Sequence, residues 1–172
     1  CRQPQLQLRL PTERYYEEEG RAELTPRDFG ILMHRVFENA ATTDEIYTAI
    51  EAMTQDGVLD EKEAPRLREL VEKALADPVT AEWFGGRWQV VRNENEIILP
   101  GSGTTRRPDR VMTDGERAVV VDYKFGDRET ARHRKQIREY LRLLRQMGYT
   151  RTEGYLWYVR LGRTERVEEK ED

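Results

Sequence analysis

Two aspartates and a lysine lie close together in the stretch RPDRVMTDGERAVVVDYKFG, residues 107–126. If residues 117–125 form a strand, Asp122 and Lys124 project from one face, because side chains alternate along a strand. That face is otherwise apolar, and burying the two charges there without partners would be unfavourable. Carboxylates suit a hard divalent cation such as Mg²⁺ or Mn²⁺, and a nearby ammonium suits activation of a water for attack on a phosphate.

Asp109 joins this pair only if the chain reverses in a suitable register. Asp114-Gly115 predicts a two-residue hairpin turn, which would place Asp109 opposite Val120. Opposed residues project to the same face, so Asp109 would be a diagonal neighbour of Asp122, whereas a three-residue loop would turn it away. A buried Asp–Lys ion pair that only fixes the register explains the same stretch, and these residues alone leave both explanations open.

Composition narrows the class of protein. The chain of 172 residues suits one domain, and no apolar run is long enough to cross a bilayer. The single cysteine, Cys1, excludes an internal disulfide and a four-cysteine iron–sulfur or zinc site, and favours a reducing, cytoplasmic setting. Residues 1–100 carry 12 basic and 20 acidic groups, whereas residues 101–172 carry 17 and 13. This asymmetry is compatible with a basic face on an acidic body, but the charge counts alone favour two ordinary solvated surfaces.

Hydrophobic periodicity and turn residues predict the elements that position the site. Thr25-Pro26 begins a helix with a hydroxyl cap and a proline in the first turn. Further helical segments are predicted at 44–55, 61–76, 78–84 and 130–147, and strands at 87–92, 96–99, 107–112, 117–125, 154–160 and 163–167. Residues 1–24 are interpreted as a tether from a preceding domain, 25–168 as one domain and 169–172 as a disordered tail. The order predicts an α/β or α+β fold in which helices cover a mixed sheet.

Pro108-Asp109, twelve residues, then Asp122-Tyr123-Lys124 resembles the signature of PD-(D/E)XK nucleases. The chain is similar to the RecB-like branch of these nucleases, the exonuclease V type. That branch carries Gly-x-x-x-His on an upstream helix, matched here by Gly30 and His34. It also carries Gln-x-x-x-Tyr on the helix after the lysine, matched by Gln136 and Tyr140. The matches run in order from about Asp28 to Val159, and the resemblance implies a restriction-endonuclease-like α/β fold.

The resemblance also implies residue roles. The metal ligands would be His34, Asp109, Asp122 and the backbone carbonyl of Tyr123, with Glu94 as a further site acid. Lys124 would act on the attacking water, and Gln136 and Tyr140 would line the site. The space left by Gly30, one turn before His34, is expected to admit a metal or a phosphate. A packed histidine, a solvated strand-edge glutamate and a helix-surface pair at i, i+4 are the simpler explanations of these residues.

The basic side chains around the hairpin and the following helix then predict a nucleic-acid surface. Such side chains track a phosphate backbone in nucleases and other DNA-binding proteins. The predicted DNA contacts are Arg107, Arg110, Arg128, Arg132, Arg134 and Lys135.

Together these features predict a Mg²⁺- or Mn²⁺-dependent deoxyribonuclease. The resemblance implies single-stranded DNA as substrate, 5′-phosphate products, a helicase module in the same full-length chain, and a role in DNA repair or recombination, with a second subunit as a further partner. A catalytically silent DNA-binding or scaffold domain of the same fold is the alternative. Polarity, exonuclease or endonuclease mode, and RNA against DNA stay open.

Overall fold

A computed structural model describes residues 23–93, 97–98, 105–126 and 131–169. Within these ranges the helices are α1 (Pro26–Glu38), α2 (Thr43–Gln55), α3 (Ala64–Ala74), α4 (Pro78–Trp83) and α5 (Ala131–Gln146). The strands are β1 (Val90–Asn93), β2 (Ile97–Ile98), β3 (Thr105–Arg106), β4 (Arg110–Asp114), β5 (Arg117–Lys124), β6 (Arg151–Tyr158) and β7 (Arg163–Arg166). The predicted tether up to residue 22, Glu94, Arg128 and residues 170–172 of the predicted tail lie outside the described residues.

Helix α1 begins where the sequence predicts. The Thr25 hydroxyl accepts a hydrogen bond from the Asp28 amide at 3.2 Å, and the Asp28 carboxylate accepts one from the Thr25 amide at 2.8 Å. This reciprocal capping box satisfies two N–H groups that the helix itself leaves unpaired, and Pro26 fits the first turn because its missing N–H is not needed there.

Five strands form one mixed sheet in the order β1-β4-β5-β6-β7. The β5–β6 pair is parallel and the other three pairs are antiparallel, while β2 and β3 form a separate two-stranded ladder. Helix α5 connects the two parallel strands, as a parallel pair requires a crossover. A mixed sheet flanked by helices confirms the predicted α/β, restriction-endonuclease-like fold class.

The central hairpin differs from the prediction by one position at its turn. Gly115 and Glu116 form the two-residue loop, with Gly115 at φ 59°, and Asp114 pairs with Arg117. The predicted turn at Asp114-Gly115 was therefore wrong, since Gly is the residue that accepts a positive φ at the first loop position. Moving a two-residue loop by one position changes the register by two residues, which keeps every side chain on its predicted face.

Several strand limits also differ from the predictions, among them the starts of β1, β4 and β6. Strand β4 begins at Arg110 instead of residue 107, because Pro108 has no N–H to donate to a ladder. Strand β6 begins at Arg151 instead of Gly154, because Arg151 pairs with Arg117 at the start of β5.

Helices cover the sheet on both faces. Val119, Val121 and Tyr123 of β5 pack into a core with α1 to α4, whereas Ala118 and Val120 pack with α5. Both predicted faces of β5 are thus confirmed as buried, and Asp122 belongs to the face that α5 covers.

The close approach of α5 to β6 depends on Gly154. A Cβ added there would overlap Ile137 Cγ2 and lie 3.2 Å from both Cδ atoms of Leu141. Because Ile137 is β-branched and cannot swing that methyl aside freely, we expect Gly154→Ala to lower the free energy of unfolding by about 1–3 kcal/mol. Urea denaturation followed by circular dichroism measures this loss.

Gly126→Ala is the matched control for this substitution. A Cβ added at Gly126 meets no atom of the described residues within 4 Å, so we expect stability close to that of the wild type. Equal stability of Gly154→Ala and the wild type would contradict the packing that the structure gives α5.

Candidate active site

Asp109 lies immediately before β4 and reaches across to β5. Its Oδ2 accepts a hydrogen bond from the Tyr123 backbone amide at 2.6 Å, and its Oδ1 lies 3.4 Å from His34 Nε2. Continuing the β4–β5 register one residue beyond Arg110 and Val121 pairs Asp109 with Asp122 rather than with Val120. The carboxylate thus joins the end of the hairpin to the helix that carries His34.

Asp122 and Lys124 form an ion pair on the α5 face of the sheet. Lys124 Nζ donates to Asp122 Oδ2 at 2.6 Å, and the Asp122 side chain is buried while that of Lys124 is about one-fifth exposed. A buried carboxylate needs such a partner because its transfer from water is otherwise very unfavourable. The sequence left this ion pair and a cation site open as explanations of the stretch, and the structure contains the ion pair.

The two carboxyl groups interact with each other. Burial and then the negative charge of Asp109 raise the pKa of Asp122, although Lys124 opposes both effects. Burial also acts to raise the pKa of Asp109, but the hydrogen bonds from His34 and from the Tyr123 amide outweigh it, so that this pKa is lowered. The two carboxylates carry more negative charge than the Lys124 ammonium neutralises.

His34 stands between two carboxylates. Its Nε2 faces Asp109, its Nδ1 lies 3.5 Å from Glu38 Oε2 one helical turn along α1, and its ring edge packs on Tyr123 and Phe125. A carboxylate on the second ring nitrogen fixes the tautomer and orientation of a ligating imidazole. The structure brings His34 to Asp109 as the resemblance implied.

The space beside Gly30 is filled, contrary to the prediction that it admits a metal or a phosphate. A Cβ built on Gly30 would lie 3.3 Å from Phe125 Cβ. The glycine therefore lets α1 approach the residue that follows β5, which in turn places His34 near the strand end.

The Tyr123 carbonyl faces the same side of β5 as its amide. In an antiparallel ladder the N–H and C=O of one residue point to the same neighbouring strand, and here the amide reaches Asp109 beyond the last β4 pair. The carbonyl is consequently directed towards the region where both acids lie.

This donor set fits a hard divalent cation by its chemistry. It offers two carboxylates, a carbonyl oxygen and an imidazole, and the excess negative charge of the acid pair favours a cation. In the described part of the chain, no three His, Cys, Asp or Glu side chains are arranged as a ready cluster. The acids are instead bonded to His34, Lys124 and the Tyr123 amide, so these bonds hold the donors in place.

A family model for the PD-(D/E)XK nuclease superfamily matches residues 5–172, nearly the whole chain. This chain belongs to the PD-(D/E)XK nuclease superfamily. A search of curated proteins finds no match. Across the described residues, no helix combines the length and the apolar character needed to span a membrane.

In this PD-(D/E)XK chain, the Gln-x-x-x-Tyr pair lies on α5, the helix that covers the Asp122 face. Gln136 Nε2 donates to the Tyr140 hydroxyl at 2.9 Å, and Tyr140 is fully buried in the α5 core. The pair is therefore partly internal rather than a solvated helix-surface pair.

Arg110 does not lie on the predicted DNA-binding surface. Its side chain is 0% exposed, and its guanidinium donates to the carbonyls of Ala40, Ala41 and Trp83. The prediction was wrong because strand alternation turns Arg110 inward, towards the core that α1 to α4 cover. There the carbonyls accept from both Nη atoms, while Nε has no hydrogen-bond partner among the described residues.

Arg134 is also paired with another residue of the nuclease fold. Its Nε and Nη2 donate to the two carboxylate oxygens of Glu165 on β7, a bidentate pairing that anchors the edge strand to α5. We therefore withdraw Arg134 from the predicted DNA contacts. Arg107, Arg132 and Lys135 are exposed, whereas Arg128 and Glu94 lie outside the described residues.

Sequence reasoning missed two residues that the nuclease structure brings to this site. Glu38 meets His34, and its position four residues further along the same helix was the available signal. His133, interpreted from the sequence as a surface residue, has a buried Nδ1 without a hydrogen-bond partner among the described residues. Burial, then the charges of Lys124 and Arg132, lower the pKa of His133.

Proposed function

We propose that this protein is a metal-dependent deoxyribonuclease that hydrolyses phosphodiester bonds with Mg²⁺ or Mn²⁺. The observation that carries the proposal is the continuous chain of contacts from His34 through Asp109 to Tyr123, next to the Asp122–Lys124 pair. Membership of a nuclease superfamily supports the same chemistry.

His34, Asp109, Asp122 and the Tyr123 carbonyl would hold the cation. When bound, a divalent cation lowers the pKa of water and polarises the phosphate. Lys124, kept in place by its bond to Asp122, would orient the attacking water and stabilise negative charge as it develops on the phosphate oxygens. Gln136 and Tyr140 would line the site from α5, and Glu94 would add a further acid.

Arg107, Arg132 and Lys135 would contact the DNA backbone, together with Arg128. Arg132 and Lys135 are exposed in the first turns of α5, the helix that covers the Asp122 face. Their charges would attract the phosphates that flank the scissile bond, without reading the base sequence.

Removing two of these charges tests the DNA surface. We expect the Arg132→Ala, Lys135→Ala double variant to bind single-stranded DNA more weakly, with a salt dependence flatter by about 1.4 in log–log slope, since two phosphate contacts are lost. Fluorescence anisotropy in EDTA, over a range of salt concentrations, measures both quantities without cleavage.

Lys62→Ala with Lys73→Ala removes the same charge from the opposite side of the sheet and serves as the control. Both lysines are exposed, at α3 or just before it. If the two double variants weaken binding equally, only net charge matters and the proposed surface is wrong.

The proposal extends to the setting of the enzyme. We infer a RecB-like nuclease domain over residues 25–168 that receives single-stranded DNA from a helicase module of the same full-length chain, in DNA repair or recombination, with a second subunit as a further partner. The order of the His34, Asp109, Asp122–Lys124 and Gln136–Tyr140 motifs supports this inference. The family match begins at residue 5, within the proposed tether.

Digestion of end-labelled single-stranded and duplex DNA tests the function directly. We expect cleavage with Mg²⁺ or Mn²⁺, none with EDTA, and much slower cleavage by Asp122→Ala or Lys124→Ala. Equal cleavage by the wild type and both variants would identify a contaminant and refute the assignment. A folded wild-type protein that binds DNA, but that neither binds Mn²⁺ nor cleaves any DNA substrate, would instead identify a silent scaffold of the same fold.

A further inference from the structure

Arg110 is a buried cation without a carboxylate partner among the hydrogen bonds described. Its Nη1 donates to the Ala40 carbonyl at 2.6 Å and to Asn93 Oδ1 at 3.2 Å. Its Nη2 donates to the carbonyls of Ala41 at 2.8 Å and Trp83 at 2.6 Å. The guanidinium carbon also lies 4.0 Å from the centre of the Phe84 ring.

These acceptors lie in two places. Ala40 and Ala41 form the connection between Asn39, the C-cap of α1, and Thr42, the N-cap of α2, and Trp83 is the last residue of α4. The last carbonyls of a helix lack partners within the helix and carry partial negative charge, so a cation placed against the Trp83 carbonyl is favourable. One guanidinium thereby joins the segment that follows α1 to the end of α4.

Arg110 directly follows Asp109, while α1 carries His34. The His34 Nε2 to Asp109 Oδ1 distance of 3.4 Å therefore depends on how the end of α1 is held against the start of β4. Among the described contacts, the bonds from Arg110 to Ala40 and Ala41 make that connection. The Asn93 side chain supports it, since its Nδ2 donates to the same Ala40 carbonyl at 3.3 Å.

We propose that Arg110 is a positioning residue of the nuclease site, which sets the spacing between Asp109 and His34 and through it the affinity for the divalent cation. The inference rests on the proposed function. Only a guanidinium can serve here, because its fixed fork of donors reaches several carbonyls at once, whereas a lysine ammonium reaches fewer and in a different geometry.

Arg110→Lys is the test, and Arg117→Lys is its matched control. Arg117 is likewise a strand arginine bound to several acceptors, with Nη1 on Glu82 at 2.7 Å and Nε on Glu153 at 2.9 Å. It begins β5, about 23 Å along the strand from Lys124 at the site end. Isothermal titration calorimetry with Mn²⁺ measures the affinity, thermal unfolding measures the stability, and single-turnover cleavage is followed against Mn²⁺ concentration.

We expect Arg110→Lys to raise the Mn²⁺ dissociation constant roughly 10- to 100-fold, as loss of a residue behind metal ligands does. Saturating Mn²⁺ should restore most of the cleavage rate, because no reacting group has been removed. Arg117→Lys should lower the melting temperature but bind Mn²⁺ as the wild type does. If Arg110→Lys does not fold, Asn93→Ala replaces it, with a smaller rise expected in the same direction.

Three results would overturn the inference. They are unchanged Mn²⁺ affinity in folded Arg110→Lys, unchanged affinity in Asn93→Ala where that variant replaces it, or equal weakening by Arg117→Lys, which would indicate general destabilisation. In each case the proposed function is still supported as long as the wild-type protein binds Mn²⁺ and cleaves DNA. A wild type that neither binds Mn²⁺ nor cleaves DNA refutes the proposed function, and the inference with it.

Discussion

Asp122→Asn is expected to lower the rate of metal-dependent DNA cleavage by on the order of 1,000-fold or more, while the protein stays folded. The substitution keeps the shape of the side chain and an oxygen that accepts from Lys124, which now donates to Oδ2 at 2.6 Å. It removes one of the two negative charges that would hold the cation. Cleavage rates under single-turnover conditions in saturating Mn²⁺ measure the loss.

Stability separates this loss from unfolding. Asp122 is only 4% exposed and shares its site with Asp109, so the neutral amide relieves both burial of charge and repulsion between like charges. We expect thermal unfolding close to that of the wild type. Asp114→Asn, an exposed position of the same hairpin, is the matched control and should retain full activity. Cleavage by Asp122→Asn within tenfold of the wild type would remove Asp122 from the proposed chemistry.

Lys124→Ala is expected to slow cleavage by roughly 10²- to 10⁴-fold without weakening the binding of Mn²⁺. In the proposed reaction Lys124 would contribute a charge and a proton-bearing group, but as a cation it would compete with the metal for Asp122 Oδ2. Its removal would therefore leave Asp122 Oδ2 free to bind the metal. Single-turnover cleavage and calorimetric titration of the same preparation measure the two effects.

Lys73→Ala provides the comparison for a lysine in an ion pair remote from the site. Lys73 Nζ lies 2.8 Å from Glu69 on α3, and both side chains are well exposed, so its loss should change neither cleavage nor Mn²⁺ binding. If Lys124→Ala weakens Mn²⁺ binding as strongly as it slows cleavage, Lys124 maintains the site and has no separate part in the reaction.

Much of the fold could be predicted from local rules. The capped start of α1 follows from Thr25-Pro26, and the central position of β5 follows from valines that make both faces apolar. Asp122 and Lys124 project from the same face because side chains alternate along the strand. This prediction holds although the turn lies one position later than predicted, because the register shifts by two residues. Such rules hold because each depends on backbone geometry over a few neighbouring residues.

The fold class, the motif order and the set of side chains that share a face of β5 could therefore be predicted without coordinates. The burial of Arg110 against distant carbonyls and the packing of Phe125 beside Gly30 became visible only in the folded structure. The reason is that the local sequence around a charged or small residue in a strand or helix is the same whether the residue contacts water or protein. Arg110 finds its acceptors 70, 69 and 27 residues away, and no local pattern encodes contacts between segments so distant in the chain.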